Sequence, residues 1–140
     1  MPYTMQWYIP DRVAYTQYSG HISLEEFEAV ISEIKQYLAE GTPPVHHIVD
    51  YLAVESVTDK TQLVKQALSQ LELGKHGWAV IISSKHAYIR YQVFTLAQAA
   101  GVRYQEVTSL EGAVAFLMRA DETLHEDEDT DESEPDDSTN

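Results

Sequence analysis

The sequence predicts a single-domain, layered α/β fold: an N-terminal antiparallel β-hairpin, then alternating helices and parallel strands in the order β-β-α-β-α-β-α-β-α. Three observations predict it. Residues 3–9 alternate in polarity and are followed by a tight turn and a second extended stretch. From Ser23 onward, stretches with helical spacing alternate with short apolar runs, which implies right-handed crossovers between parallel strands. Trp78 to Ile82 is apolar at every position, as a central strand covered on both faces must be.

The first strand sets Tyr3, Met5, Trp7 and Ile9 on one side and Thr4, Gln6 and Tyr8 on the other. Pro10-Asp11 is the turn, and the second strand runs from Arg12 to Tyr18, ended by Gly20. The connection is too short for a crossover, so this pair is antiparallel. Ser23 and Glu26 form a capping box that starts the first helix, with Ile22 and Phe27 as a hydrophobic staple. Leu24, Phe27, Val30, Ile31, Ile34 and Leu38 make its apolar stripe. Gly41 is expected as a left-handed cap, and Pro43-Pro44 block continuation.

Val45 to Leu52 is the third strand. The second helix spans about Thr58 to Leu73, with Leu63, Val64, Ala67, Leu68 and Leu71 inward and Gly74 as its stop. Ser83-Ser84 open the third helix, His86 to Ala100, which buries Ile89, Val93, Leu96, Ala97 and Ala100 and ends at Gly101. Val102 to Val107 is a more polar last strand. Thr108 or Ser109 caps a final helix carrying Leu110, Val114 and Leu117.

Charge divides the chain. Its 140 residues carry a net charge of -14, but eleven acidic residues and no Lys or Arg lie between Asp121 and Asn140. Positions 1–120 hold twelve acidic and nine basic residues, a net of -3. The expected organisation is a globular domain over 1–120 and a disordered acidic tail over 121–140, dispensable for folding. The tail's Asp127, Asp129 and Asp131 mimic the start of a calcium loop, but Glu132 stands where Gly is needed and Ser138 where a bidentate Glu is needed. No basic run exists to neutralise phosphates, so nucleic-acid binding is disfavoured. Without cysteine there is no disulfide framework, thiolate metal site or cysteine nucleophile. The first residues lack the basic and apolar regions of a secretory signal, and the apolar runs are too short to span a bilayer, so a cytoplasmic location is expected.

The hairpin ending Tyr18-Ser19-Gly20, the helix opening Ile22-Ser23-Leu24-Glu25-Glu26 and the strand Val45-His46-His47-Ile48-Val49-Asp50 resemble the STAS superfamily, in its SpoIIAA-like (STAS/SEC14-like) branch. The Trp78–Ala100 strand-helix pair and the closing Val102-Arg103-Tyr104, Ser109-Leu110-Glu111 and Phe116-Leu117 share the likeness, which covers nearly all of residues 1–120. The resemblance implies a non-enzymatic regulatory or ligand-sensing module that acts through a protein partner. Anti-sigma-factor antagonists of this kind are switched by phosphorylation in an Asp-Ser-Ser-Gly-like motif after the third strand. Here Tyr51-Leu52-Ala53-Val54-Glu55 follow Asp50, leaving Ser56 and Thr58 as the phospho-switch candidates.

Ligands of open α/β sheets bind beyond the carboxyl ends of the parallel strands. Asp50, Ser83, Ser84 and Lys85 are therefore the anion or small-ligand candidates, against a plain capping role for the serines. Tyr88, Tyr91 and Phe94 form a candidate aromatic patch for an apolar ligand, a lipid or a partner, against ordinary helix packing. Asp50, Ser83 and His86 have the residue types of a catalytic set, but no glycine-rich elbow or phosphate loop accompanies them, so no enzyme is expected. His46 and His47 are neighbours in a strand and point to opposite faces, so they cannot chelate one metal together; one is expected packed and the other partly exposed. No cofactor is implied.

Overall fold

The computed structural model describes residues 3–69 and 76–124. Among them the elements run β1 Tyr3–Ile9, β2 Val13–Ile22, α1 Leu24–Glu40, β3 Val45–Val57, α2 Thr61–Leu68, β4 His76–Ile82, α3 Ala87–Ala100, β5 Arg103–Val107 and α4 Leu110–Ala120. Five strands form one sheet in the order β1-β2-β3-β4-β5. β1 and β2 are antiparallel, and every later pair is parallel. This is the expected α/β fold.

The pleat sorts the side chains into two cores. On one face Tyr18, Val49, Tyr51 and Ile81 pack under Phe27 and Val30 of α1, Val64 of α2 and Ile89, Val93 and Leu96 of α3. On the other, Val13, Ile48, Val80 and Ile82 pack under Val114 and Leu117 of α4. Three helices thus cover one face and one covers the other. β4 carries inward residues on both, as its unbroken apolar run requires.

Several boundaries differ from the sequence reading. β2 does not stop at Tyr18 but continues through Gly20 to Ile22, because Gly20 sits at φ 65° in a register shift of the β2–β3 ladder. β3 runs on to Val57: β4 ends opposite Asp50, but the longer β2 keeps pairing with it, up to Ile22 opposite Val57. The capping box at Ser23 forms as expected. Gly41 is not left-handed; its φ is -81°. A Cβ there would lie 2.7 Å from the Asp11 carbonyl oxygen and 2.7 Å from Val45, so close approach is what demands glycine. Gly101, at φ 76°, is the left-handed cap.

α2 starts at Thr61 instead of Thr58, and Leu63 is 46% exposed instead of inward. Of the described residues of its stripe only Val64 is fully buried. Leu71 and Gly74 lie outside the described residues. The globular body reaches past Ala120: Leu124 is 5% exposed and packs with Ile9 and Val13. The expected disorder of the tail therefore bears only on 125–140, which lie outside the described residues.

Candidate functional site

β4 and β5 end together at Ile82 and Val107, which pair with each other, and Asp50 of the longer β3 lies opposite Ile82. Beyond them lies an open cleft of about 500 Å³, walled by Leu52, Ser83, Ser84, Lys85 and Thr108. Ser83 is tied to β5 through its backbone N–H, which donates to the Val107 carbonyl at 3.1 Å. The Ser84 hydroxyl accepts from the His86 N–H at 3.0 Å, a local turn just ahead of α3. His86 itself is the N-cap, and its side chain makes no capping bond. Lys85 is exposed on the rim. Arg90 also lines the cleft, but its guanidinium is paired with Glu106 at 2.6 Å.

Asp50 does not join this group. Its carboxylate is buried and accepts from the Tyr15 hydroxyl at 2.7 Å and from the Leu52 N–H at 2.9 Å. That contact pushes the Tyr15 phenol well above its usual range, first through burial and then through the bond to Asp50. The residue types of a catalytic set are present but engaged elsewhere. Asp50 holds Tyr15, Ser83 turns to Val107, and His86 is exposed. The anion candidates narrow to Ser83, Ser84 and Lys85.

The aromatic patch also divides. Tyr88 and Tyr91 are 64% and 68% exposed. Phe94 is half-buried, stacked on Tyr104 with centroids 5.7 Å apart and roofed by Arg90. The two phospho-switch candidates differ sharply. Thr58 is buried, and its hydroxyl accepts from the Lys60 N–H at 3.1 Å. Ser56 is exposed within β3, and its hydroxyl meets Nδ1 of His21 at 2.7 Å. The length of β3 hid this pair from sequence reasoning: with the strand ending at Leu52, nothing placed Ser56 opposite His21.

A second surface lies between α1 and α2. It is a groove of about 370 Å³ walled by Glu28, Ile31, Lys35, Leu63 and Gln66. The exposed Leu63 is the signal for it, visible only once α2 is placed.

The opposite end of the sheet gathers three histidines. His46 and His47 do point to opposite faces, but both are buried, at 1% and 8% exposure, instead of one being partly exposed. His46 Nδ1 accepts the Trp78 N–H at 2.9 Å, so Nε2 carries the proton and donates to Asp121 at 2.8 Å. Arg12 binds the same Asp121 oxygen at 2.9 Å. Burial works to raise the Asp121 carboxyl, but the bonds from His46 and Thr123 and the Arg12 charge outweigh it and hold it well below the usual carboxylate range. His47 Nε2 meets the Thr16 hydroxyl at 2.7 Å, and burial, aided by nearby His76, drives its pKa down to about 3.

No family model matches the sequence, and no curated protein matches it. Solved structures do. A DUF3478-family protein from Shewanella loihica, described as having a SpoIIAA-like fold, superposes with TM-score 0.59 at 12% identity, over 82% of this chain and 91% of that one. The anti-sigma factor antagonist SpoIIAA in its unphosphorylated form superposes with TM-score 0.57 at 12% identity, over 84% and 96%. The fold is SpoIIAA-like.

Proposed function

We propose that this protein is a non-enzymatic regulatory module that works in the cytoplasm by docking a protein partner on its α1–α2 side. The observation that carries the reading is Leu63, a large apolar side chain left 46% exposed in the α1–α2 groove. Its neighbours Glu28 and Lys35 supply a polar rim of both signs, the composition of a reversible contact. The SpoIIAA-like fold supports the reading, since one protein that shares it is an anti-sigma factor antagonist. Among the described residues no helix is long and apolar enough to cross a membrane.

A switch, if present, belongs on Ser56. Its hydroxyl is exposed, whereas that of Thr58 is buried and engaged. A small anionic ligand in the cleft at Ser83, Ser84 and Lys85 is the second reading, favoured by the exposed ammonium beside two hydroxyls.

The test is affinity capture from the native cells with the full chain and with Leu63→Asp and Lys85→Glu. The docking reading expects a stoichiometric partner that Leu63→Asp loses and Lys85→Glu keeps. A partner retained by Leu63→Asp overturns the assignment to this groove.

A further inference from the structure

The sheet has two edges, β1 and β5, and they are built differently. β5 carries Arg103 and Glu106. Charged side chains on an edge strand guard it against pairing with another chain. β1 carries no charged residue and no proline. Its irregularity lies between Trp7 and Ile9, at the hairpin end; from Tyr3 to Trp7 its pairing with β2 is unbroken. Alternate residues of such a strand aim their N–H and C=O away from the sheet. On that side, among the described residues, no hydrogen bond from another element reaches the backbone of residues 4–7.

The helix beside this edge is acidic. Tyr37 of α1 packs on Trp7 with ring centroids 4.7 Å apart, and Glu33 accepts from the Tyr3 hydroxyl at 2.8 Å. Glu26, Glu33 and Glu40 recur at heptad spacing, which keeps them on one side of the helix. After burial, Glu33 and Glu26 raise the Tyr3 phenol, and Glu33 and Glu40 raise that of Tyr37. No ion pair among the described residues involves any of the three carboxylates. One oxygen of Glu26 is buried with no hydrogen-bond partner among those residues. Arg12, near the hairpin end, is held by Asp121, and Lys35 of α1 lines the α1–α2 groove instead.

We propose that β1 is a docking edge for an extended, basic segment of a partner protein, which adds to the sheet as a further strand.

Backbone and side chains play separate parts. Strand addition closes the row of hydrogen bonds that β1 leaves open, and this supplies affinity. Selection comes from the side chains. Successive residues of the added strand, about 4.8 Å outside β1, point to opposite faces. Those on the α1 side meet Glu33, Glu40 and the half-buried Trp7–Tyr37 pair, which favour Lys or Arg by charge and by their aromatic faces. Those on the other side lie next to Thr4 and Gln6, both exposed and uncharged. An acidic segment meets repulsion from the same carboxylates. This edge is a different surface from the Leu63 groove, so either can fail alone.

The test is an amide-detected NMR titration of the full chain at about 0.15 M salt. The probe is a short capped peptide that alternates Lys with Thr. One control has Glu in place of Lys. The other keeps every Lys but is methylated at each backbone nitrogen, which preserves the charge and removes the strand's donors. Saturable shifts at the amides of residues 4–7, with slowed amide exchange there, are expected with the Lys–Thr peptide. Both controls should bind about tenfold more weakly or worse. Glu33→Gln combined with Glu40→Gln should weaken the Lys–Thr peptide about fivefold, and Leu63→Asp should leave it unchanged. The proposal is overturned by no saturable shift, by shifts centred away from β1, or by a methylated peptide that binds as well as the plain one. Undiminished binding in the double variant overturns it too. So does slowed exchange at residues 4–7 in the chain alone that grows with its concentration, which makes a second copy the occupant. If the double variant does not fold, the methylated peptide decides.

Discussion

The His46 imidazole donates from Nε2 to the Asp121 carboxylate at 2.8 Å, fastening the middle strand to the residue that ends the last helix. The tautomer is fixed because Trp78 donates its backbone N–H to the other ring nitrogen. Arg12 completes the contact, so side chains from β3, the β1–β2 turn and the end of α4 meet at one carboxylate. A hydrogen bond from a neutral ring and an ion pair that share one largely buried carboxylate oxygen are worth more than a surface ion pair.

A chain ending at Ala120 should therefore be much less stable than one ending at Leu124. The shorter chain loses the Asp121 contacts and the burial of Leu124, together about 3–5 kcal/mol. Thermal melts of the two truncations against the full chain check this. Equal midpoints for all three would show that the clasp contributes nothing.

Stability should fall below neutral pH. His47 is buried and neutral, with its folded pKa lowered to about 3, whereas the unfolded chain titrates near 6.5. The unfolded state then binds more protons as pH drops. The stabilisation is present above about pH 6.5 and is lost as pH falls from there toward the folded value. At pH 5 the loss is about 2 kcal/mol for this one ring. Asp121 acts in the same direction at lower pH, because its carboxyl is held below its usual range. Urea midpoints at pH 7.5 and 5 measure the effect, and His47→Gln should reduce the slope across that interval, the remainder coming from His46 and His76, whose pKa values burial also lowers.

Gly77→Ala should be among the most damaging small substitutions. A Cβ at that position meets Nδ1 and Cε1 of the His46 ring, which is itself clamped by Trp78 and Asp121. The ring cannot yield without breaking one of those bonds. We expect a loss of about 2–3 kcal/mol, with a visible shift of the His46 ring resonances. A wild-type melting point in this variant would contradict the clamped geometry.

Ser56 and Thr58 should separate cleanly on mutation. Ser56→Ala removes an exposed bond to His21 and should change stability by less than about 0.5 kcal/mol. Thr58→Val strands the Lys60 N–H and should cost about 1 kcal/mol. Intact-mass analysis of protein from its native cells, before and after Ser56→Ala, then tests the switch. A phosphorylated species that survives the substitution would remove Ser56 from consideration.

Local signals read well from the sequence. The Ser23–Glu26 box, the Gly101 cap and the apolar run of β4 each depend on neighbours within a few residues. What stayed hidden depends on distant chain. β3 outruns its apolar pattern because β2 pairs with it, and no local feature of Ala53–Val57 records that. Leu63 fits a helical stripe, yet is exposed because α2 is short and turned on Val64. Asp121 reads as the first residue of a charged tail, and only the fold brings it to Arg12 and His46. The residue types at the strand ends were legible, but their partners were not: Asp50 belongs to Tyr15.

The sheet lists its strands in the order in which the ribosome makes them. No strand has to be threaded between two already paired, so the sheet can grow at one edge, each strand docking on the one before. Such local closure favours fast assembly. The opposite holds for the second core. Among the described residues its one covering helix is α4, and its clasp joins Arg12 to Asp121 across nearly the whole described chain. During synthesis that face, with Val13, Ile48 and Val80, stays bare until the end of the domain emerges. A chain interrupted before Asp121 would carry a finished sheet with one greasy side, the form a chaperone or a protease would recognise.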